Sequence, residues 1–171
     1  PPRFGGVTMH QDEVYQDWHI PGKLVTAWIA LTDVGGNNGG IEFISGSHKW
    51  KKLSKPVKKF FSGNNYKHSL VKFEKNINKK TIVPKLKAGS LSLHHGKLWH
   101  GSRVNRSNKD RISISCHFMP TYSKFHPKIN NPVLSHYKKF TTCEMDDNFF
   151  PILWSRNNMR SKFLSKLKYN G

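Results

Sequence analysis

Short apolar runs, each bounded by glycine, asparagine or proline, recur along the chain. Leu24–Leu31, Ile41–Ile44, Thr81–Val83 and Leu91–His95 are such runs, and each has the length and the residue types of a β-strand. Residues 35–40 are all glycine or asparagine, and they predict a turn because both residue types adopt positive φ at little cost. Many short strands separated by turns are typical of a β-sandwich or barrel.

Two further segments extend this pattern. Arg111–Met119 alternates most clearly between apolar and polar residues, and Val7–His10 predicts the end of another strand. Leu24–Leu31 is almost continuously apolar, which favours a strand that is covered on both faces. The prediction is a mainly β protein, an antiparallel double-stranded β-helix (jelly roll, cupin-like) with a few flanking helices. A helix on the outside of the barrel is predicted from five residues near the C-terminus: Leu153, Trp154, Phe163, Leu164 and Leu167.

The length of 171 residues predicts a single domain over residues 1–171. Residues 49–80 are rich in Lys, Asn and Ser, and we expect a long surface excursion or lid there, because long loops in compact domains are often lids or binding loops. The chain opens at Pro1 rather than at methionine, so part of an N-terminal region is expected to be missing.

The formal net charge of +19 raises the possibility of a nucleic-acid partner, since clustered Lys and Arg neutralise phosphates. However, the basic residues are mostly Lys and are spread along the whole chain beside abundant Asn. No motif with groove-reading or base-stacking spacing is present. A compositional origin of the charge is therefore favoured over nucleic-acid binding. A positive field also suits an anionic substrate, such as a carboxylate or phosphate ester.

The sequence favours a reducing, cytoplasmic setting without a membrane segment. No apolar run approaches the roughly 20 residues that a transmembrane helix requires, and no signal-peptide pattern is present. The two cysteines, Cys116 and Cys143, do not form a disulfide framework. Cys116 falls in an alternating strand pattern, where a buried free thiol is the expected state.

Candidate chemistry begins at His10 and Asp12. Residues two apart on a strand face the same side, so the imidazole and the carboxylate can converge on one point. Two histidines and one carboxylate on one face of an octahedron bind Fe(II) and leave three positions for a chelating cosubstrate and O2. A second histidine from a distant strand is required, because a His-x-Asp pair alone is often a solvated surface pair.

The second half of this pattern lies in Leu98–Ser102, where His100 precedes a glycine at a predicted strand end. Eleven residues after His100, Arg111 opens the clearest strand of the chain. An arginine can hold a carboxylate through two parallel hydrogen bonds. A metal site beside such a clamp suits 2-oxoglutarate, which chelates the metal at one end and carries a distal carboxylate at the other.

The chain resembles the phytanoyl-CoA dioxygenase family of Fe(II)/2-oxoglutarate-dependent oxygenases over roughly residues 8–120, in order and spacing. The stretches that carry the resemblance are His10-Gln11-Asp12, Val25–Asp33 with Gly39-Gly40, Gly46–Lys49, Ala88–Ser90, His100–Ser102, and Arg111 with Ile114–Phe118. Members of the family normally have a sizeable N-terminal portion before the His-x-Asp motif, whereas only nine residues precede His10 here.

The resemblance implies a set of site residues and cofactors. His10, Asp12 and His100 are expected to be the iron ligands, and the distal carboxylate of 2-oxoglutarate is expected to bind Arg111 and Ser102. The resemblance also implies that two further residues, Gln11 and Trp28, line the cosubstrate pocket.

The implied reaction is hydroxylation of a small organic substrate, with consumption of O2 and 2-oxoglutarate and release of succinate and CO2. Related halogenases have a small residue in place of the carboxylate, so Asp12 favours hydroxylation.

Three alternatives remain open at the level of sequence. The first is a jelly-roll binding module without activity, and a complete ligand set with Arg111 argues against it. The second is a metal-dependent hydrolase or isomerase, since the same ligands suit zinc. The third is a basic nucleic-acid-binding protein. Among the other histidines, His94 and His95 are expected to support or pack around the metal strand, and His117 could face inward.

Overall fold

A computed structural model describes residues 5–35, 37–51, 53–61, 63–71 and 81–166 of the chain. The chain divides into two compact units, one of residues 1–15 and 24–118 and the other of residues 16–23 and 119–171. The prediction of one domain over residues 1–171 stays a prediction.

The described residues are mainly strands with a few short helices. The strands in chain order are β1 (His19–Ile20), β2 (Val25–Ala30), β3 (Ile41–Ile44), β4 (Thr81–Ile82), β5 (Leu91–His95), β6 (His100–Ser102), β7 (Ser113–Phe118) and β8 (Lys124–Phe125). One α-helix, α1, spans His68–Val71, and the 3-10 helices span Asp12–Tyr15, Ser47–Lys49, Gly63–Asn65, Leu134–Tyr137 and Lys162–Lys166.

The first unit contains two antiparallel sheets of three strands each. In one sheet β2 lies between β5 and β7, and in the other β3 lies between β4 and β6. Trp28 and Ala30 of β2 pack in one buried cluster with Ile41 and Phe43 of β3, so the two sheets face each other. The mainly β, antiparallel, jelly-roll prediction is confirmed.

A second buried cluster joins the N-terminal segment to the rest of this unit. Met9, Ile44, Leu70 and Trp99 are fully buried in it. Leu70 lies in α1, inside the segment 49–80 that was expected to be a surface excursion, so this part contributes to the core. The residues 52, 62 and 72–80 of that segment lie outside the described part of the chain, and its role as a lid stays a prediction.

The strand predictions place β3 and β5 at their observed bounds and β2 within one residue at each end. The expectation that β2 is covered on both faces holds at Ala27, which is 5% exposed on the outer face, but is wrong at the end residue Val25, which is 43% exposed. The apolar side chains of β7 also point outward, with Ile114 47% and Phe118 42% exposed. Its polar side chains therefore face the interior, which is unusual for a core strand and marks a polar cavity there.

The second unit is built around one strand pair and an aromatic cluster. β1 and β8 pair in antiparallel register, and Trp18 contacts the rings of Phe125 and Phe150 at centroid distances of 5.3 and 5.8 Å.

The predicted C-terminal helix is wrong over residues 153–161. Ser155 Oγ accepts a hydrogen bond from Met159 N at 2.7 Å and closes a turn, and Asn158 has a positive φ of 57°, which no helix tolerates. Only the 3-10 helix Lys162–Lys166 follows, and Leu167 lies outside the described residues. Among the described residues, no helix has the length and the apolar character needed to span a bilayer.

Candidate functional site

A cavity of about 310 Å³ opens between the two sheets of the first unit. His10, Asp12 and His100 line it together with Trp28, Ser102 and Arg111, so six of the residues predicted from sequence lie around one space. The three potential metal ligands are buried, which distinguishes them from a solvated surface cluster.

His10 and His100 are held side by side by the backbone. They form an isolated antiparallel bridge in which His10 N donates to His100 O at 2.9 Å and His100 N donates to His10 O at 3.0 Å. Their imidazole rings lie 4.3 Å apart between centroids. A strand segment and β6, remote in sequence, therefore deliver two imidazoles to the same point.

Asp12 reaches this point by a different backbone route from the one expected. The extended segment ends at His10, and Asp12 begins a 3-10 helix that Glu13 N anchors by donating to Gly96 O at 3.1 Å. The prediction that both side chains project from one strand is wrong, because Asp12 lies in a 3-10 helix. The convergence itself is present, because Asp12 Oδ1 lies 3.4 Å from His10 Nε2 and 3.3 Å from His100 Nε2.

These distances fit a single metal ion. One ligand atom from each of His10, Asp12 and His100 can be chosen so that all lie within 4.8 Å of one another. Two ligand atoms about 2.1 Å from a metal and at right angles to each other are about 3.0 Å apart. The observed separations are only a few tenths of an ångström larger.

The hydrogen bonds behind the imidazoles also fit metal binding. His10 Nδ1 lies 2.7 Å from Thr8 O, and His100 Nδ1 lies 2.9 Å from Leu98 O. A carbonyl only accepts hydrogen bonds, so both Nδ1 atoms carry the proton and both Nε2 atoms present a lone pair. Fixing the tautomer through the second ring nitrogen is the usual support of a metal-binding histidine.

Asp12 is held in its ionised form. Burial alone would raise the pKa of this carboxyl, but the surrounding imidazoles of His10, His100 and His94 outweigh burial, and its pKa lies well below the ordinary value. The donor set of two imidazoles and one carboxylate contains no sulfur and suits a borderline divalent ion such as Fe(II).

Arg111 supplies a positive charge to the same cavity. Its Nη1 donates to Ser113 Oγ at 3.0 Å, and its guanidinium lies 5.5 Å from the centre of the Trp28 ring. Burial lowers the pKa of Arg111. Its Nε is buried and has no hydrogen-bond partner among the described residues. A buried donor without a partner costs about 1–3 kcal/mol, so this atom is suited to an anionic ligand.

Ser102 lines the cavity, whereas Gln11 does not. Ser102 Oγ accepts a hydrogen bond from Val7 N at 3.2 Å, which leaves its hydroxyl proton for a ligand. Gln11 is fully buried, and its amide donates to Lys97 O at 2.7 Å and accepts from Ser54 N at 2.8 Å. The structure therefore uses Gln11 to tether two loops and does not bring it to the cavity wall.

Ser113 and Ser115 of the cavity wall were not singled out from the sequence, whereas His117 was named as a residue that could face inward. Ser113, Ser115 and His117 follow Arg111 at intervals of two along the β7 segment and face the cavity with it. Their position could have been inferred from the sequence, because residues at intervals of two along a strand lie on the same face as Arg111. Thr26 of β2 gave no such signal.

Of the two adjacent histidines on β5, His94 faces the cavity and His95 faces away from it. The side chain of His94 is 1% exposed, and its Nε2 lies 3.5 Å from Asp12 Oδ2. The side chain of His95 is 48% exposed and lies 3.6 Å from Glu13.

A jelly roll with two histidines and a carboxylate around one point has the donor set of the non-haem iron oxygenases. The family model of phytanoyl-CoA dioxygenase (PhyH) matches residues 1–113. The chain belongs to the phytanoyl-CoA dioxygenase family.

Curated relatives agree with this assignment. The chain is 31% identical over 123 residues to human peroxisomal phytanoyl-CoA dioxygenase, covering 69% of this chain and 36% of that protein. It is 32% identical over 123 residues to phytanoyl-CoA dioxygenase domain-containing protein 1 of Danio rerio, covering 69% of this chain and 41% of that protein. The chain thus spans about two fifths of the length of these relatives.

Solved structures share the fold. The non-haem α-ketoglutarate-dependent carbocyclase SnoK superposes with a TM-score of 0.60 at 21% identity, over 85% of this chain and 54% of that one. The epimerase SnoN, in complex with Fe3+, α-ketoglutarate and nogalamycin RO, superposes with a TM-score of 0.58 at 21% identity, over 77% and 50%. At this identity the likeness establishes the jelly roll alone.

Proposed function

We propose that this chain carries the metal and cosubstrate site of an Fe(II)- and 2-oxoglutarate-dependent oxygenase that hydroxylates a small organic substrate. The observation that carries the proposal is the convergence of His10, Asp12 and His100 beside Arg111 in one cavity. Membership of the phytanoyl-CoA dioxygenase family supports it, as does the shared fold with SnoN, whose structure is a complex with Fe3+ and α-ketoglutarate.

In this proposal His10, Asp12 and His100 hold the iron. The backbone carbonyls of Thr8 and Leu98 keep the imidazoles in the tautomer that presents Nε2. Asp12 stays ionised because the surrounding imidazoles outweigh the effect of burial on its pKa. Three ligands on one face leave three positions for a two-point chelator and for O2.

Arg111 and Ser102 would bind the distal carboxylate of 2-oxoglutarate. Arg111 Nη1 is already bonded to Ser113 Oγ, so the opposite edge of the guanidinium, which includes the unpaired Nε, is the edge that a carboxylate can bind. The ring of Trp28 packs against the guanidinium and limits its movement. The Ser102 hydroxyl would donate a further hydrogen bond to the same carboxylate.

The apolar part of the wall keeps water away from the reaction. Ile41 and Phe60 line the cavity, and the Phe60 ring packs 4.9 Å from the ring of His10. The volume of about 310 Å³ is at the small end of ligand pockets, which span about 300–1,000 Å³. A small substrate, or a small reacting part of a larger one, is therefore favoured.

The cofactor supplies the oxidising chemistry: bound iron with 2-oxoglutarate and O2 yields succinate and CO2 and transfers an oxygen atom to a C–H bond. The residues of this chain orient the reactants and exclude competing water. Asp12 favours hydroxylation, since it occupies a position that a halide would need.

The test is formation of succinate from 2-oxoglutarate in the presence of Fe(II) and O2. We expect the wild-type chain to form succinate and His100→Ala to form none above background. Succinate formation that persists without Fe(II), or that is equal in His100→Ala, would exclude this site as its source.

A further inference from the structure

The two oxygens of Asp12 face different surroundings. Oδ1 lies 3.4 Å from His10 Nε2 and 3.3 Å from His100 Nε2, at the point where the proposed metal ion would bind. Oδ2 accepts a hydrogen bond from Thr26 Oγ1 at 2.6 Å and lies 3.5 Å from His94 Nε2. The carboxylate is therefore oriented with one oxygen toward the metal site and the other toward the sheet.

Three side chains meet at Oδ2 because of the sheet register. Thr26 of β2 is opposite His94 of β5 on one side and His117 of β7 on the other. All three side chains line the cavity, and Thr26 and His94 are buried. We call His94, Thr26 and His117 the cross-strand row.

The hydrogen bonds within the cross-strand row have one consistent direction. An ionised carboxylate only accepts, so the single hydroxyl proton of Thr26 goes to Asp12 Oδ2. Thr26 Oγ1 also lies 3.0 Å from His117 Nδ1, and with its own proton committed it accepts from that nitrogen. Thr26 is thus fixed from both sides.

His94 adds an unsatisfied group at the same oxygen. Neither of its ring nitrogens has a hydrogen-bond partner among the described residues, although its side chain is 1% exposed. Asp12 Oδ2, at 3.5 Å, is slightly beyond hydrogen-bond length. A buried polar group of this kind favours any small rotation of the carboxylate that brings Oδ2 closer to it.

We propose that the cross-strand row, with Thr26 as its central positioning residue, restricts Asp12 to binding the metal through Oδ1 alone. This inference rests on the proposed metal site. Its consequence is a free coordination position: with one oxygen bound, the two histidines and Asp12 fill three positions of an octahedron. If both oxygens bound, only two positions would remain, too few for a two-point chelator and O2 together.

The test is binding of Co(II) alone to the metal-free chain, measured by titration calorimetry and by visible absorbance. Thr26→Val removes the hydroxyl and keeps the branched shape, and Thr26→Ser restores the hydroxyl. We expect Thr26→Val to weaken Co(II) binding about 10- to 100-fold and to change the visible spectrum, as is usual when a supporting hydrogen bond to a ligand is lost. Thr26→Ser should bind Co(II) as the wild type does, with the same spectrum.

Thr32→Val is the matched control. Thr32 Oγ1 accepts a hydrogen bond from Ile112 N at 3.0 Å, so the control also loses one hydrogen bond in the same unit, away from the cavity. Its Co(II) affinity should equal that of the wild type. Thermal unfolding of each variant separates loss of folding from loss of the metal site.

Each outcome decides between the claims. Wild-type affinity and spectrum in folded Thr26→Val would overturn the positioning role and leave the metal site intact. Equal losses in Thr26→Ser and Thr26→Val would also overturn it, because the hydroxyl would then not be the cause. A wild-type chain that binds no Co(II) would overturn the metal site and the inference together.

If Thr26→Val does not fold, His117→Ala serves in its place. The His117 side chain is 44% exposed, so its truncation removes the donor to Thr26 without opening the core. Weaker Co(II) binding is expected, and unchanged binding would overturn the inference.

Discussion

The proposed carboxylate clamp at Arg111 gives the sharpest quantitative prediction for cosubstrate binding. Arg111→Gln removes the charge and the two-point grip, whereas Arg111→Lys keeps the charge but offers one contact. A hydrogen bond to a charged group is worth about 1.5–3 kcal/mol. Because Nη1 is held by Ser113 Oγ at 3.0 Å, the free edge can form two such bonds to a carboxylate.

Loss of both bonds corresponds to about 3–6 kcal/mol, or a Kd for 2-oxoglutarate that is about 10²- to 10⁴-fold higher in Arg111→Gln. Loss of one bond in Arg111→Lys corresponds to a Kd for 2-oxoglutarate that is about 10- to 150-fold higher than in the wild type. The assay is anaerobic titration calorimetry of 2-oxoglutarate into the Fe(II)-loaded chain. Arg106→Gln, at an exposed arginine outside this cavity, is the control variant and should bind as the wild type does.

Pyruvate provides the matched control ligand, because it keeps the chelating end and lacks the distal carboxylate. The wild type and Arg111→Gln should bind pyruvate equally. An unchanged Kd for 2-oxoglutarate in Arg111→Gln would refute the clamp. A loss of pyruvate affinity as large as that of 2-oxoglutarate would show that the substitution damages the metal site instead.

Three further predictions follow from individual residues. Gly101→Ala should lower the free energy of unfolding by about 1–3 kcal/mol and weaken metal binding, because a Cβ there would lie 2.7 Å from Val7 O and 3.0 Å from Met9 N. Gly5→Ala is the control: the atom nearest to its added Cβ would be 3.8 Å away, so thermal unfolding should be unchanged. Leu70→Ala should cost about 2–5 kcal/mol in denaturant unfolding, since this side chain is fully buried, and a cost below 1 kcal/mol would contradict its place in the core. Any affinity for duplex DNA should fall steeply as the salt concentration rises, and it should be the same in His100→Ala as in the wild type. Succinate formation that requires DNA would contradict a small-molecule substrate.

The positions of several strands were predictable from local pattern where the pattern has one physical cause. β5 and β3 were located because a glycine-containing turn precedes each of them, and such turns commonly mark the boundary of a strand. Arg111 and His100 were singled out by their spacing and by the resemblance to the phytanoyl-CoA dioxygenase family, and both line the cavity.

Local pattern did not predict features that depend on distant neighbours. Thr26 is an ordinary strand residue in sequence, and only the register with His94 and His117 gives it a partner in Asp12. Gln11 matched the expected pocket position, but its amide is used by Lys97 and Ser54, which lie far away in the sequence.

The missed C-terminal structure has a different cause. Apolar residues at helical spacing predicted a helix, but the turn closed by Ser155 Oγ and the positive φ of Asn158 interrupt it. Side-chain hydrogen bonds to the nearby backbone compete with helix formation, and the spacing of apolar residues does not predict where such bonds form.

The most direct test of the central claim is a visible spectrum of the Fe(II)-loaded chain, recorded without oxygen before and after addition of 2-oxoglutarate. A ketoacid that chelates Fe(II) produces a visible metal-to-ligand charge-transfer band. We expect this band in the wild type and its absence in His100→Ala. Fe(II) binding without a band in the wild type would contradict a 2-oxoglutarate site at His10, Asp12 and His100.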